Sequence, residues 1–348
     1  MLYNIVLSFD DILITPKYSS IEHRSECNLD CKVTSNIHLT IPIISSPMDS
    51  VTESEMCIAL NHLGGLGIIH RFQSIHKQAN QVREAHKYGS GLVGVAIGAT
   101  NDFVERAQEL VSAGACIINI DTAHGNTLLM KEAIKRLKRE VSGSFDILAG
   151  NIATFEGAKN LQDWGADGIR VGIGNGSACI TRINTGCGVP QASALMNVCD
   201  NNQITVPVVC DGGIRHPGDV AKAIALGASA VMLGSLLAGT KESPGPIKKF
   251  GEWPVERLYK EYRGSASRDS KLARGEEDKH VEGISSFIPY KGKTKRIVRD
   301  LVLGLQSSMS YIGVRTLEDF QRVARGRIIW VSPAGSAESE PHLLDIFK

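Results

Sequence analysis

Short apolar runs, many of them rich in β-branched residues, recur along the chain and alternate with segments of helical periodicity. The apolar runs are residues 41–45, 66–70, 92–97, 116–121, 145–150, 168–173, 206–211 and 230–234. Most are too short for helices and too uniformly apolar for strands with one exposed face, so the pattern indicates parallel strands buried on both faces. The helical patterns between them include residues 102–113, 128–140, 155–164 and 217–226.

One junction between helix and strand occurs three times, at residues 112–115, 164–167 and 226–229, and a glycine ends the helical pattern in each. Eight such β/α units predict a closed (β/α)8 TIM barrel, for which an open doubly wound sheet is the alternative. We therefore expect a single catalytic domain over residues 1–348. Residues 298–312 predict a helix that docks on the barrel, and residues 332–348 a peripheral C-terminal extension.

Composition narrows the classes of partner. The chain has 348 residues, with 38 basic against 37 acidic side chains, so no overall field favours nucleic acid or an anionic membrane. No apolar run is long enough to span a membrane, and the N-terminus lacks the basic region of a signal peptide. Eight scattered cysteines suit reduced thiols, which predicts a cytoplasmic protein.

The segment 171–182 contains the most specific candidate for chemistry. An apolar run ends in three alternating glycines, Gly172, Gly174 and Gly176, which precede Ser177, Cys179 and Thr181. Glycines leave room for substrate to approach the backbone, so the loop presents the Cys179 thiol as a nucleophile. A buried structural cysteine is the alternative, and the density of glycine argues against it.

Polar residues follow nearly every predicted strand, where the active sites of such barrels lie. They include Ser45, Met48, His70, Asp121, Asn151, Arg170, Asp211 and Ser235. Glycines and a hydroxyl after strands seven and eight, Gly213, Gly234 and Ser235, predict a phosphate cradle, and Asp211 beside it suits a sugar hydroxyl.

Asp121, with Thr122 and His124, leaves three alternatives open: a metal-ligand set, a carboxylate that binds a hydroxyl, or a capped turn. No third ligand stands at convincing spacing, so ribose binding is preferred. A Rossmann dinucleotide fold is not indicated, because no G-x-G-x-x-G motif opens a helix after the first strand.

These motifs resemble the IMP dehydrogenase/GMP reductase family. The similarity covers nearly the whole chain in the family's order, and its segments are residues 7–13, 45–49, 64–70, 121–125, 172–182, 211–214, 232–235 and 262–264. It implies redox chemistry at C2 of a purine mononucleotide, with a covalent adduct on Cys179 and a nicotinamide cofactor, NADPH or NAD. A homotetramer is also implied.

The resemblance assigns roles residue by residue. It implies catalytic roles for Cys179, Thr181 and Glu282. It places the substrate against Ser45, Met48, Asn151, Ser177, Asp211, Gly213, Gly234, Ser235, Tyr262 and Gly264. It places the cofactor against Asp121, Thr122, Arg170 and Gly172. The carbonyls of Gly174, Gly176 and Cys179 would form a monovalent-cation site, for K⁺.

The direction of the reaction depends on a flap at about residues 262–283. The flap is short and lacks the Arg-Tyr pair with which dehydrogenases activate water, while Thr181 and Glu282 fall where reductases handle ammonia. The regulatory CBS insertion of many dehydrogenases is absent after strand two. These features favour GMP reductase, which converts GMP and NADPH to IMP and ammonia.

IMP dehydrogenase, which oxidises IMP to XMP with NAD and water, is the alternative. Residues 211–215, 234–240 and 334–342 resemble dehydrogenases, and Arg268 or Arg274 could activate water in place of the missing pair. Ser265 departs from the methionine usual in the family. A nucleotide-binding protein without activity is a further class, which the joint presence of Cys179, Thr181, Asp121 and Asp211 argues against. A metal hydrolase lacks a ligand set.

Overall fold

The computed structural model describes residues 6–89, 91–251, 256–268 and 281–339. Its strands are β1 (Ile12–Ile14), β2 (Cys31–Lys32), β3 (His38–Leu39), β4 (Ile43–Ser45), β5 (Leu66–Ile69), β6 (Gly94–Ile97), β7 (Ile117–Asp121), β8 (Asp146–Ile152), β9 (Gly168–Val171), β10 (Val208–Asp211), β11 (Ala230–Leu233), β12 (Lys248–Phe250), β13 (Arg257–Arg263), β14 (Ser285–Pro289) and β15 (Ile328–Trp330). Its α-helices are α1 (Ser54–His62), α2 (Ile75–Tyr88), α3 (Phe103–Ser112), α4 (Leu128–Glu140), α5 (Phe155–Trp164), α6 (Thr181–Thr185), α7 (Gln191–Cys199), α8 (Pro217–Ala225), α9 (Thr294–Ile312), α10 (Leu317–Arg325) and α11 (Pro333–Ala337).

Strands β4 to β11 pair in parallel and close into a barrel, with β11 hydrogen-bonded back to β4. The (β/α)8 prediction is therefore confirmed, and the open sheet is excluded. Each of the eight predicted apolar runs overlaps one barrel strand, and β8 extends beyond its run to Ile152. The strands are buried almost throughout, as in β5, where all four residues are buried, because helices cover the outside and side chains fill the inside.

The three predicted glycine junctions also form. Gly114, Gly165 and Gly227 follow α3, α5 and α8 with φ of 109°, 107° and 103°. This left-handed conformation ends a helix at low cost only for glycine. The chain can thus turn within a few residues from helix to strand, which keeps the lower face of the barrel compact.

Elements outside the barrel fix its ends. Helix α9 begins four residues before the predicted position, and it buries Val298, Leu301, Leu305 and Met309. At the N-terminal end, β1 pairs antiparallel with β15, so the two terminal segments meet. The described part of the C-terminal extension includes α11, which has no buried residue, as expected for a peripheral segment.

The predicted flap at about residues 262–283 begins at the end of a strand that the apolar pattern does not indicate. Strand β13 lies between β12 and β14 in a three-stranded antiparallel sheet. Lys260 is buried there, and its ammonium donates to the carbonyl of Thr240 at 3.1 Å and to that of Ser243. Carbonyl acceptors thus satisfy a lysine that the sequence pattern indicates as exposed.

Candidate active site

The loop after β9 carries Cys179 into the barrel mouth. Gly172 begins the loop with φ of 153°, and a Cβ there would lie 2.2 Å from the carbonyl oxygen of Asp211. Only glycine allows this approach to β10. At the far end of the loop, the amide of Cys179 donates to the carbonyl of Gly176 at 3.0 Å. The thiol is half-buried and faces the cavity.

A second segment clamps the same loop from above. The amide of Ile180 donates to the carbonyl of Glu282 at 2.9 Å, and that of Ile284 donates to the carbonyl of Ala178 at 3.0 Å. The base of the flap therefore pairs with the cysteine loop through its backbone. This pairing places the Glu282 side chain beside the thiol.

Three side chains form a proton route at this point. The thiol of Cys179 donates to Thr181 Oγ1 at 3.1 Å, and that hydroxyl donates to Glu282 Oε2 at 2.7 Å. A nucleophile, a relay hydroxyl and a carboxylate acceptor in sequence are the parts needed to generate a thiolate. The structure thus brings together the three residues predicted as catalytic.

Next to the thiol, small and hydroxyl side chains form a cradle. Tyr262 is buried, and its hydroxyl lies 3.1 Å from Ser177 Oγ. Burial raises the pKa of Tyr262, although the hydrogen bond with Ser177 opposes the rise, so the phenol stays protonated and can donate. A Cβ on Gly234 would lie 3.2 Å from Met48 Sδ and 3.3 Å from the Tyr262 hydroxyl, so a side chain at this position would crowd the cradle.

A buried arginine joins the two carboxylates of the mouth. Arg170 on β9 donates to Asp121 at 2.9 Å and to Asp211 at 2.6 Å, and it also donates to Asn119 at 3.0 Å. Burial alone would lower the pKa of Arg170, but the two carboxylates outweigh it and the pKa is raised. The arginine is therefore a fixed charge that holds both carboxylates in place.

Asn151 completes this network from β8. Its amide donates to Asp211 at 2.7 Å and to the carbonyl of Gly172 at 2.8 Å. Sequence reasoning missed Asn119, which is fully buried. Its position as a polar residue inside the otherwise apolar run of β7 is the signal that could have found it.

All these groups line one cavity of about 930 Å³ that spans the barrel mouth. The predicted residues on its wall are Met48, Asp121, Thr122, Asn151, Arg170, Gly172, Gly174, Gly176, Ser177, Cys179, Thr181, Asp211, Gly213, Gly234, Ser235, Tyr262, Gly264 and Glu282. Residues that the sequence did not single out also line it, among them Ser8, Asp10, Arg71, Phe72 and Thr100.

Ser45 is the predicted site residue that does not line the cavity. Its side chain is fully buried, and its hydroxyl lies 2.8 Å from that of Thr52. Because the Thr52 hydroxyl donates its one proton to the carbonyl of Ser46 at 2.7 Å, it accepts from Ser45, and Ser45 supports the turn that carries Met48. Contact between Ser45 and the substrate stays a prediction from the resemblance.

The described residues contain no group of three or more histidine, cysteine, aspartate or glutamate side chains that could hold a metal ion. Of the two arginines considered for water activation, Arg274 lies outside the described residues. Arg268 is not on the cavity wall. In the described part of the chain, none of the helices has the length and apolar character needed to cross a membrane.

Fold and site together define a (β/α)8-barrel protein in which a thiol, linked by Thr181 to a carboxylate, faces a large cavity. Over residues 6–342 the chain matches the IMP dehydrogenase / GMP reductase domain. The chain belongs to this family and is an oxidoreductase of it.

Several relatives match over nearly their whole length. Inosine-5'-monophosphate dehydrogenase of Cryptosporidium parvum is 37% identical over 396 residues, which cover 98% of this chain and 96% of the relative. The enzyme of the same name from Borreliella burgdorferi is 38% identical over 401 residues, covering 98% and 97%. That of Nitrosopumilus maritimus is 31% identical over 473 residues, covering 97% and 98%. All three alignments are longer than the 348-residue chain, so each of these relatives has segments that the present chain lacks.

Proposed function

We propose that the chain is an IMP dehydrogenase, which oxidises IMP at C2 with NAD and water to give XMP. The observation that carries the proposal is the end-to-end similarity to dehydrogenases at 37% and 38% identity, combined with Cys179 at the cavity wall. The names of these relatives favour IMP dehydrogenase. The flap sequence, by contrast, favours GMP reductase.

The first chemical step uses the proton route described above. Glu282 accepts the thiol proton through Thr181, and the thiolate of Cys179 attacks C2 of the purine. The C2 hydrogen leaves with its electron pair as hydride, so the purine is oxidised and remains bound to sulfur. NAD, when bound, supplies the hydride acceptor.

The cavity is large enough for IMP and NAD together. A volume of about 930 Å³ is at the upper end of the range for ligand pockets. The cradle of Ser177, Gly234 and Tyr262 beside Cys179 suits the phosphate of the mononucleotide. Asp211 and Asp121 then offer one carboxylate to each of the two riboses, and the ion pairs with Arg170 hold both carboxylates in orientation.

The second step releases the product from sulfur. Water adds to C2 and the Cys179 sulfur departs, which gives XMP. Thr181 lies beside the adduct and touches Glu282, so once Glu282 has released the thiol proton to solvent, the same pair can accept the proton of the attacking water. Because this pair is in place, hydrolysis does not require the Arg-Tyr pair that is absent from residues 259–282.

The cation site stays part of the proposal. Main-chain carbonyls of Gly174, Gly176 and Cys179 are hard oxygen donors without net charge, which suit a monovalent ion such as K⁺ better than a divalent one. Gly174 has φ of 77°, and a Cβ there would lie 2.6 Å from Cγ of Arg182, so this turn accepts only glycine. The homotetramer and the cytoplasmic location likewise stay predictions.

GMP reductase is the second candidate, and one observation favours it. Thr181 and Glu282 are the pair through which ammonia would receive its proton, and they are hydrogen-bonded at 2.7 Å. In that direction the thiolate displaces the 2-amino group of GMP as ammonia. NADPH, when bound, would supply the hydride that replaces sulfur at C2 and releases IMP. The pair serves either reaction, so its geometry alone does not decide between them.

The test supplies purified enzyme with IMP and NAD, or with GMP and NADPH, and follows absorbance of the reduced nicotinamide. We expect an increase with IMP and NAD, dependent on K⁺, and no decrease with GMP and NADPH. Turnover of GMP with NADPH alone would replace the proposal by the second candidate. Replacing NAD by NADP in the first assay determines the cofactor.

A further inference from the structure

Arg71 is a cation on the cavity wall that no described acidic group neutralises. It follows β5, and its guanidinium carbon lies 5.0 Å from the centroid of the Phe72 ring. Its Nε is buried without a hydrogen-bond partner. A Cβ built on Gly98 would lie 3.5 Å from its Nη1, so the arginine covers the glycine at the end of β6.

A second arginine on this part of the cavity wall, unlike Arg71, already has an acidic partner. Arg106 also lines the cavity, but it donates to Asp102 at 2.8 Å, to the carbonyl of Gln73 at 3.0 Å and to Gln78 at 2.8 Å. Asp102, the carboxylate in this part of the wall, is therefore already paired. Among the described residues Arg71 has no carboxylate partner, and its guanidinium lies over the Phe72 ring. A half-buried cation without an anion is costly unless a ligand supplies the charge.

The barrel topology places Arg71 far from the thiol. In the closed order β4 to β11, the strand before Arg71 (β5) and the strand before Cys179 (β9) are four strands apart in a ring of eight. The two residues thus face each other across the mouth. Asp121, at the end of β7, lies between them along the rim, and one cavity joins all three.

This placement suits a dinucleotide that extends along the cavity wall away from Cys179. With the nicotinamide at C2 of the purine beside Cys179 and its ribose at Asp121, the rest of the molecule continues along the wall that Phe72, Thr100 and Leu129 line. A phosphate group is the anionic part of that remainder. A guanidinium offers it up to two parallel hydrogen bonds.

We propose that Arg71, stacked on Phe72, binds a phosphate group of the dinucleotide at the end of the cavity opposite Cys179. The inference rests on the proposed function, because it assumes a nicotinamide dinucleotide at this site. The phosphate is either part of the diphosphate, which NAD and NADP share, or the 2′-phosphate that only NADP has.

The kinetic test compares Arg71→Met, which keeps the apolar stem, with Arg71→Lys, which keeps the charge. The matched control is Arg83→Ala on α2, an exposed arginine paired with Glu109 and absent from the cavity wall. Loss of a charge-assisted hydrogen bond predicts that Arg71→Met raises KM for the dinucleotide by about tenfold or more. KM for IMP should stay within about twofold of wild type, and Arg71→Lys should recover part of the loss.

The two phosphate sources give different results. An equal rise in KM for NAD and NADP assigns Arg71 to the diphosphate, and a rise for NADP alone assigns it to the 2′-phosphate. Either outcome supports the proposal. Unchanged KM for both dinucleotides in Arg71→Met, or an equal rise in KM for IMP, would overturn it.

A binding measurement separates this proposal from the proposed function. ADP-ribose and NADP, without nucleotide substrate, are titrated calorimetrically into wild type, Arg71→Met and Arg83→Ala, so no turnover is required. We expect weaker binding of one or both ligands to Arg71→Met only. If wild type and Arg71→Met bind ADP-ribose and NADP with equal affinity, the phosphate contact is refuted, even if the enzyme oxidises IMP. If wild type turns over neither substrate pair but shows the Arg71 dependence, the contact stands and the proposed reaction fails.

Discussion

Thr181 donates a hydrogen bond to Glu282 at 2.7 Å, although 101 residues of sequence separate them. The same hydroxyl accepts from the Cys179 thiol at 3.1 Å. The backbone supports this contact, because the amide of Ile180 donates to the carbonyl of Glu282 at 2.9 Å. The flap base thus delivers a carboxylate to the nucleophile, and the proposed proton transfers depend on it.

Glu282→Gln should therefore slow turnover without preventing substrate binding. Glutamine can still accept the hydrogen bond from Thr181, but it cannot take up a proton at neutral pH. We expect kcat for IMP oxidation to fall about 10²-fold, within the usual range for general base catalysis, while KM for IMP changes little. Stopped-flow absorbance of the reduced nicotinamide measures hydride transfer in the first turnover and, in the later turnovers, the rate at which hydrolysis releases the product. Glu109→Gln, on the exposed face of α3, is the control, and a kcat within twofold of wild type for Glu282→Gln would contradict the assignment.

Gly234→Ala tests the phosphate cradle. The added methyl would lie 3.2 Å from Met48 Sδ and 3.3 Å from the Tyr262 hydroxyl, which narrows the site where the phosphate is expected. We expect KM for IMP to rise about tenfold, which corresponds to about 1.4 kcal/mol of binding energy. Gly218→Ala is the matched control, since a Cβ there meets nothing within 4 Å. Equal KM values for the two variants would show that the phosphate binds elsewhere.

Arg170→Met should weaken both halves of the site together. Its removal leaves Asp121 and Asp211 without their shared counterion, which predicts a loss of about 3 kcal/mol in the free energy of unfolding. KM values for IMP and for NAD should both rise. Arg170→Lys keeps the charge but not the fork, so it should recover stability more than affinity. If only KM for NAD rises, Arg170 contacts the cofactor, as the sequence resemblance implies, and does not couple the two carboxylates.

Lys291 predicts a dependence of stability on alkaline pH. Its ammonium donates to the carbonyls of Ser235 and Leu236, and burial lowers its pKa from 10.5 to about 8. Below pH 8 both folded and unfolded chains are protonated, so the folded state bears the full cost of burial. Between about pH 8 and 10.5 the unfolded chain binds more protons, so this residue's contribution to stability increases with pH.

Urea unfolding at pH 7.5 and at pH 10 measures this contribution. The free energy of unfolding of wild type, relative to Lys291→Met, should increase between the two values, because the variant has no group to titrate at this position. Lys135→Met, at an exposed position on α4, should show no such change. A difference between wild type and Lys291→Met that is independent of pH would exclude the titration.

The barrel could be predicted because its strands carry their signal in consecutive residues. Runs such as Ile117–Asp121 are buried on both faces, and Gly114 marks the turn that precedes this one. The sheet of β12 to β14 carries no such signal. Lys260 is buried there, and its ammonium donates to carbonyls within residues 240 to 243. Local polarity does not reveal this long-range contact.

The site follows the same division. Cys179 and its glycines lie within a dozen residues, so the loop could be predicted from sequence alone. Arg170 couples Asp121 and Asp211 across three strands, which the sequence does not reveal. Arg71 is a candidate only because no described acidic group neutralises its charge. Ser45 looked equivalent to its neighbours, but the barrel turns its side chain toward Thr52. Pairing and burial, rather than residue type, decide these roles.

The central claim is that Cys179 carries the oxidation of IMP as a covalent adduct. Its most direct test is mass spectrometry of enzyme mixed with IMP and NAD, quenched in acid within the first turnovers and digested. The account predicts that the peptide containing Cys179 gains the mass of IMP less two hydrogens, only when NAD is present. Cys187→Ala, which changes an exposed thiol outside the cavity wall, should retain the adduct, and Cys179→Ala should lose it. XMP formation by Cys179→Ala, or an unmodified Cys179 peptide during steady turnover, would contradict the account.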